Sequence, residues 1–229
     1  MVVQGDSVSI QAGDSTLEGN LVIPQKPRGI VLFAHGSGSS RFSPRNRFVA
    51  EALHREGLAT LLFDLLTHEE EAEASRLLRF DIPRLARRLV AATDWVAARP
   101  ETSHLPIGYF GASTGGAAAL VAAAERPALV GAVVSRGGRP DLAGEALERV
   151  EAPTLLIVGS EDPQVLELNR AAQRSLRAPN ELIVIPGASH LFEEPGALGL
   201  VAGLAAESFG RYLAAAARAG ESRHVRTTP

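Results

Sequence analysis

The chain of 229 residues has no cysteine. That excludes disulfides, thiolate metal sites and a cysteine nucleophile. Lysine is nearly absent as well: Lys26 stands alone, and arginine carries the rest of the basic charge. Lys and Arg total 23 against 26 Asp and Glu, a formal net charge of −3. There is no basic surplus to attract nucleic acid and no acidic block to act as a solvating tail. No uncharged apolar run reaches the roughly 18 residues of a membrane span. Met1 to Asp6 hold neither a charged leader nor a long apolar core, so a soluble, cytoplasmic protein is the simplest reading. His54, His68, His104 and His224 lie in helical, charged or terminal contexts and read as solvated. They form no metal-ligand spacing, so neither a metal nor a cofactor is expected.

Hydrophobic residues make up 45% of the chain, enough for one substantial core. Residues 1–219 read as a single α/β domain and 220–229 as a polar, frayed, flexible tail. Short apolar runs alternate with helical patterns. Val8–Ile10 and Leu17–Ile23 read as an opening antiparallel pair. Ile30–Ala34, Ala59–Phe63, Leu105–Phe110, Leu129–Val134, Thr154–Val158 and Glu181–Ile185 read as strands. Helical spacing starts around Phe48, at Asp81-Ile82-Pro83 with Asp81 as N-cap, and over Pro163–Leu176 and Leu198–Ala217. Glu69–Glu73 reads as a solvated acidic face. The alternation predicts a mostly parallel sheet of about seven or eight strands with helices on both faces. Ligands of such sheets bind at the carboxyl ends of the strands, so the residues after each apolar run are the functional candidates.

Gly111-Ala112-Ser113-Thr114-Gly115 is the most informative of these segments. It joins a strand to an alanine-rich helix through a sharp turn that would lift the Ser113 hydroxyl clear of the sheet. Glycine on both sides avoids collision with the neighbouring backbone. The Thr114 N–H then stands at a helix N-terminus, where it can stabilise an oxyanion. After Ile30–Ala34 comes His35-Gly36-Ser37-Gly38-Ser39-Ser40, whose Ser37 main chain is the candidate second oxyanion donor; the alternative is a plain flexible loop. His35 reads as a structural group that holds this loop. After Thr154–Val158 comes Gly159-Ser160-Glu161-Asp162-Pro163. Asp162 is the candidate acid that orients a histidine; it could instead be a helix N-cap, with Glu161 and then Asp141 as fallbacks. After Glu181–Ile185 comes Pro186-Gly187-Ala188-Ser189-His190. His190 is the candidate base that takes the Ser113 proton and returns it to the leaving group.

Serine, acid and histidine in this chain order resemble the α/β-hydrolase superfamily, and within it the small dienelactone-hydrolase-like proteins. The resemblance runs from about Val8 to Leu213. It implies an α/β-hydrolase fold, a catalytic triad of Ser113, Asp162 and His190, and oxyanion donors from Thr114 and Ser37. Dienelactone hydrolases themselves use a cysteine nucleophile, which this chain cannot supply. The departure favours serine chemistry on small carboxylic esters or thioesters. Only Arg136 to Pro153 separate two strands where many such hydrolases insert a lid. That length holds a short helix, about Leu142–Arg149, and no lid domain, so an open site is expected.

Arg41, Arg45 and Arg136 follow strand ends and are candidate binders of a substrate carboxylate or phosphate; alternatively they pair with Asp64, the Glu69–Glu71 run or Asp141 and brace the loops. Arg139 reads as a brace. The leading expectation is a serine esterase. An acyltransferase or perhydrolase using the same acyl-enzyme, and a non-catalytic binding protein on the same fold, are the alternatives. The expected partner is a small ester or thioester, neither nucleic acid nor a membrane. The sequence sets no oligomeric state.

Overall fold

The computed structural model describes residues 5–73 and 76–225. Among the described residues eight strands form one sheet: β1 (Asp6–Ala12), β2 (Ser15–Val22), β3 (Ile30–Ala34), β4 (Ala59–Phe63), β5 (Ile107–Ala112), β6 (Val130–Arg136), β7 (Thr154–Gly159) and β8 (Asn180–Ile185). Their order is β1-β2-β4-β3-β5-β6-β7-β8. β2 is antiparallel to both β1 and β4, and the other neighbours are parallel. Every residue of β3, β4, β5 and β7 is buried. This is why those segments read as unbroken apolar runs: a parallel strand covered on both faces has no polar side to alternate with.

Helices cover both faces. α1 (Pro44–Arg55) and α7 (Ala197–Val225) pack on one, where Val31, Phe33, Leu53, Phe110, Val201 and Phe209 form a core. α4 (Ile82–Ala98) and α5 (Thr114–Glu125) pack on the other, against Leu32, Leu61, Tyr109 and Val133. α6 (Pro163–Ser175) joins that second layer through Ala172. Two short helices, α2 (His68–Glu73) and α3 (Arg76–Arg79), lie between β4 and α4. The connection from β6 to β7 carries a 3-10 segment, Pro140–Arg149, broken at Gly144, and no lid among the described residues.

The helix starts follow their caps. Ser43 accepts the Asn46 N–H at 3.3 Å, and Asp81 accepts the Arg84 N–H at 3.0 Å, each ahead of a proline within the first turn. α1 therefore begins at Pro44, earlier than the apolar spacing around Phe48 suggests. The last helix runs on through residues 220–225, to Val225. Alanines 214–217 favour helix, and no proline stands between Pro195 and Pro229. Residues 226–229, and Met1 to Gln4 of the opening segment, lie outside the described residues.

β3 is where the chain reverses its direction across the sheet: β4 is added on one side of it and β5 on the other. Ligands of open α/β sheets sit beyond the strand ends at such a switch point. The loop 35–43 after β3 and the turn at Ser113 after β5 meet there, with Ala34 paired to Gly111.

The acidic run is not simply a solvated face. Glu70 binds Arg88 through two contacts, Nη1 to Oε2 at 2.5 Å and Nη2 to Oε1 at 2.7 Å, and Arg88 is only 5% exposed. Arg84 adds a contact to Glu70 at 2.9 Å, and Arg88 also donates to the Leu65 carbonyl at 2.7 Å. α4 thereby holds the segment that follows β4. Hydrogen bonding from Arg88 brings the Glu70 carboxyl from its ordinary 4.5 to about 2. A depressed carboxyl pKa stabilises the fold above the unfolded value, and that contribution is lost as pH falls from about 4.5 toward 2. Glu70→Gln is expected to cost about 2 kcal/mol at neutral pH. It should also flatten the acid limb over that window, as read from denaturant unfolding at a series of pH values.

Candidate active site

The site is built from the ends of β3, β5, β6, β7 and β8. Ser113 holds φ 51° and ψ −121°, a backbone shape that L-residues avoid, at a cost of about 1–3 kcal/mol. It is kept there by its backbone bonds. Its N–H donates to the Arg136 carbonyl at 3.2 Å, and its own carbonyl accepts from Gly116 N and Arg139 N at 3.0 and 3.1 Å. The Ser113 side chain makes no capping bond to α5, which leaves the hydroxyl free at the helix N-terminus. The two flanking glycines are required by space. A Cβ on Gly115 would stand 2.0 Å from the Ala34 carbonyl oxygen, and one on Gly111 would stand 2.6 Å from the Gly115 oxygen.

Asp162 and His190 meet. His190 Nδ1 lies 2.6 Å from Asp162 Oδ2, with the aspartate side chain 16% exposed and the histidine 38%. Asp162 sits at the N-cap position of α6 yet makes no capping bond. Its carboxylate is turned to the histidine. The loops that carry them are tied together: Glu161 N donates to the Ala188 carbonyl at 3.0 Å, and Gly187 N to Ser160 Oγ at 2.8 Å. His190 in turn lies against Gly137, whose Cβ would stand 3.5 Å from its Nδ1. Ser113 and His190 thus flank the same end of β6. Among the described residues no hydrogen bond joins the Ser113 hydroxyl to the imidazole.

The early loop is firmly held. His35 is buried; its Nε2 accepts the Leu65 N–H at 2.9 Å and its Nδ1 lies 2.9 Å from the Gly36 carbonyl. These contacts fit a neutral ring protonated at Nδ1, and burial pushes its pKa below the usual histidine value. It is a structural group, as its place before Ser113 suggests. The Ser37 N–H donates to Thr114 Oγ1 at 3.0 Å in the free chain. Thr114, 1% exposed, brings its hydroxyl under the loop as α5 packs against β3, and a buried N–H takes the nearest acceptor.

The three candidate binding arginines separate. Arg41 pairs with Asp64 through its guanidinium and its own N–H, and lies 4.4 Å over the Phe42 ring; it braces the loop. Arg45, in the first turn of α1, reaches Glu193 at 3.1 Å beyond the histidine. Arg136 is 6% exposed and has no carboxylate within 4.0 Å among the described residues. Its Nη1 reaches the Leu191 carbonyl at 3.4 Å, and its guanidinium stands 5.7 Å from the Phe192 ring. Burial first, and the Arg45 charge second, lower its pKa to about 10. Arg139 forks onto Asp141 at 2.8 and 2.7 Å, a brace as expected.

Two side chains near the site carry no sequence signal. Arg79 lines the crevice at Ser37 and Thr114 and pairs with Glu71 at 2.8 Å. Phe192, at φ 58° and 2% exposed, anchors the histidine loop. His54, expected in solvent, is half-buried with Nε2 2.7 Å from Thr60 Oγ1. A groove of about 960 Å³ beside α1, lined by Phe42, Arg47, His54 and Leu62, includes none of Ser113, Asp162 or His190.

Sequence features of the dienelactone hydrolase family match residues 17–223. The chain belongs to the dienelactone hydrolase family. A dienelactone hydrolase from Anabaena variabilis has a crystal structure that is 64% identical, with a TM-score of 0.90 over 92% of this chain and 98% of that one. Est1E from Butyrivibrio proteoclasticus shares the fold at 16% identity and a TM-score of 0.74, over 90% of this chain and 99% of its own. Mycobacterium tuberculosis proteins named "Putative phosphoribosyl transferase" are 58% identical over 207 residues, 90% of this chain and 46% of theirs. The chain therefore spans about half the length of those curated relatives.

The glycine cradle makes a prediction of its own. Gly115→Ala forces its Cβ into the Ala34 carbonyl and is expected to cost more than about 3 kcal/mol. Gly203→Ala, in α7 with nothing within 4 Å, is expected to gain up to about 1 kcal/mol. Urea unfolding of the two variants checks both signs.

Proposed function

We propose that this chain is a serine hydrolase of small carboxylic esters or thioesters, with Ser113 as nucleophile, His190 as general base and Asp162 as its orienting acid. The observation that carries the reading is the 2.6 Å contact between Asp162 and His190 Nδ1, made at the expense of a helix cap. A carboxylate on Nδ1 fixes the proton there, leaves Nε2 with a lone pair, and stabilises the imidazolium that forms when that lone pair takes a proton.

The reaction follows from the side chains. An acyl carbon enters above Ser113, and the Ser113 hydroxyl and His190 close to hydrogen-bond distance around it. His190 Nε2 takes the hydroxyl proton as Oγ forms the bond to carbon. The negative charge on the carbonyl oxygen is met by the Thr114 N–H at the start of α5. The Ser37 N–H is the second donor once Thr114 Oγ1 gives it up to the oxyanion. The imidazolium then protonates the leaving oxygen or sulfur, which departs and leaves an ester on Ser113. Water, deprotonated by His190, attacks that ester; the serine takes the proton back as the acid leaves. The transferase in the mycobacterial name describes proteins of which this chain spans less than half, and the site favours the acyl reading.

Ser113→Ala is expected to abolish turnover of p-nitrophenyl acetate with the fold intact by circular dichroism; full activity in that variant would sink the assignment. Asp162→Asn keeps the shape of the carboxylate but presents the imidazole with an amide. It is expected to lower kcat by about 10²–10⁴-fold. An unchanged kcat would mean that Asp162 serves only the fold.

A further inference from the structure

Arg136 is the least compensated charge near the site. Its carbonyl receives the N–H of Ser113, and its guanidinium reaches the carbonyl of the residue after His190, so it lies between the two proposed reacting groups. It is more than nine-tenths buried. A guanidinium taken out of water needs an anion or a full set of hydrogen bonds to offset its lost hydration. Arg136 has neither. Nη1 has one long bond at 3.4 Å, Nε is buried with no partner, and the Phe192 ring is 5.7 Å away. Arg45 enters from α1 and reaches the same loop at Glu193, two residues on from the Leu191 carbonyl that Arg136 meets. The carboxylate that offsets Arg45, Glu193, sits on the histidine loop with its side chain 64% exposed. Exposed ion pairs of this kind hold weakly and are readily exchanged for a stronger anion.

We propose that Arg136 and Arg45 form an anion subsite that holds a phosphoryl group carried by the ester substrate, a place kept in the free chain by the Glu193 carboxylate. Two guanidinia arriving from different elements suit a tetrahedral group with three terminal oxygens. A carboxylate offers two coplanar oxygens and is satisfied by one guanidinium fork. A phosphate monoester also brings about two negative charges at neutral pH, which matches both arginines once Glu193 is displaced. The subsite names the substrate class of the hydrolase proposed above and rests on that reading.

Two measurements separate the subsite from the reaction. The first is calorimetric titration of the full chain with inorganic phosphate, which needs no turnover. Phosphate is expected to bind the wild-type chain, about tenfold or more weakly to Arg45→Gln and Arg136→Met, as when one charge-assisted contact is lost, and more tightly to Glu193→Gln. No binding, or equal binding to Arg45→Gln and the wild type, would overturn the subsite. If Arg136→Met fails to fold, Arg45→Gln and Glu193→Gln decide it. The second is kcat/KM on acetoxypropyl phosphate, acetoxybutanoate and propyl acetate. The phosphate ester is expected to lead, with its advantage shrinking in Arg45→Gln. A lead for the carboxylate, or no preference, would overturn the phosphoryl assignment. If no ester turns over while phosphate still binds in the expected order, the hydrolase reading fails and the subsite stands.

Discussion

The arrangement of this protein depends on how closely α5 approaches the ends of β3 and β5. At Gly115 the helix comes within a carbonyl's reach of Ala34, and at Gly111 the strand meets the backbone of that same helix turn. No side chain fits at either contact. The chain between them must turn within a few residues, and Ser113 takes the positive φ that the turn imposes. The strain is borne by the buried, alanine-rich helix and by strands whose residues are all covered. In return the serine hydroxyl stands free at a helix N-terminus, where it neither caps the helix nor packs in the core.

The other elements of the site are set by backbone pairing at the same edge. Ser113 bonds to the end of β6, Gly137 bonds to β7, and the loop after β7 bonds to the loop before His190. A displacement in one strand end would be passed to the next. Charges are handled by a second rule: guanidinia that meet a carboxylate brace the scaffold, as Arg41, Arg88 and Arg139 do. Arg136 breaks that rule, and it does so beside the proposed nucleophile and base.

The sequence was legible where one physical cause dominates. The limits of β3 and β4, and the Asp81 cap, match because unbroken burial and capping chemistry are local. The pairing of Asp162 with His190 could be anticipated from chain order, since each follows a strand of a parallel sheet. Local patterns could not reveal contacts made across the fold. Nothing in the acidic run marks Glu70 as the partner of Arg88, and nothing in the loop after β3 says that Ser37 gives its N–H to Thr114. Arg41, Arg45 and Arg136 look alike in sequence. Burial and the position of Asp64 and Glu193 set them apart, and both are tertiary facts.

The central claim is that the hydroxyl presented by this turn is a nucleophile activated by His190. Its most direct measurement is peptide mapping by mass spectrometry after reaction with a fluorophosphonate. The account predicts a single adduct on Ser113 that forms in the wild-type chain and is lost in His190→Ala. An adduct on another residue, or equal labelling of Ser113 without the histidine, would contradict it.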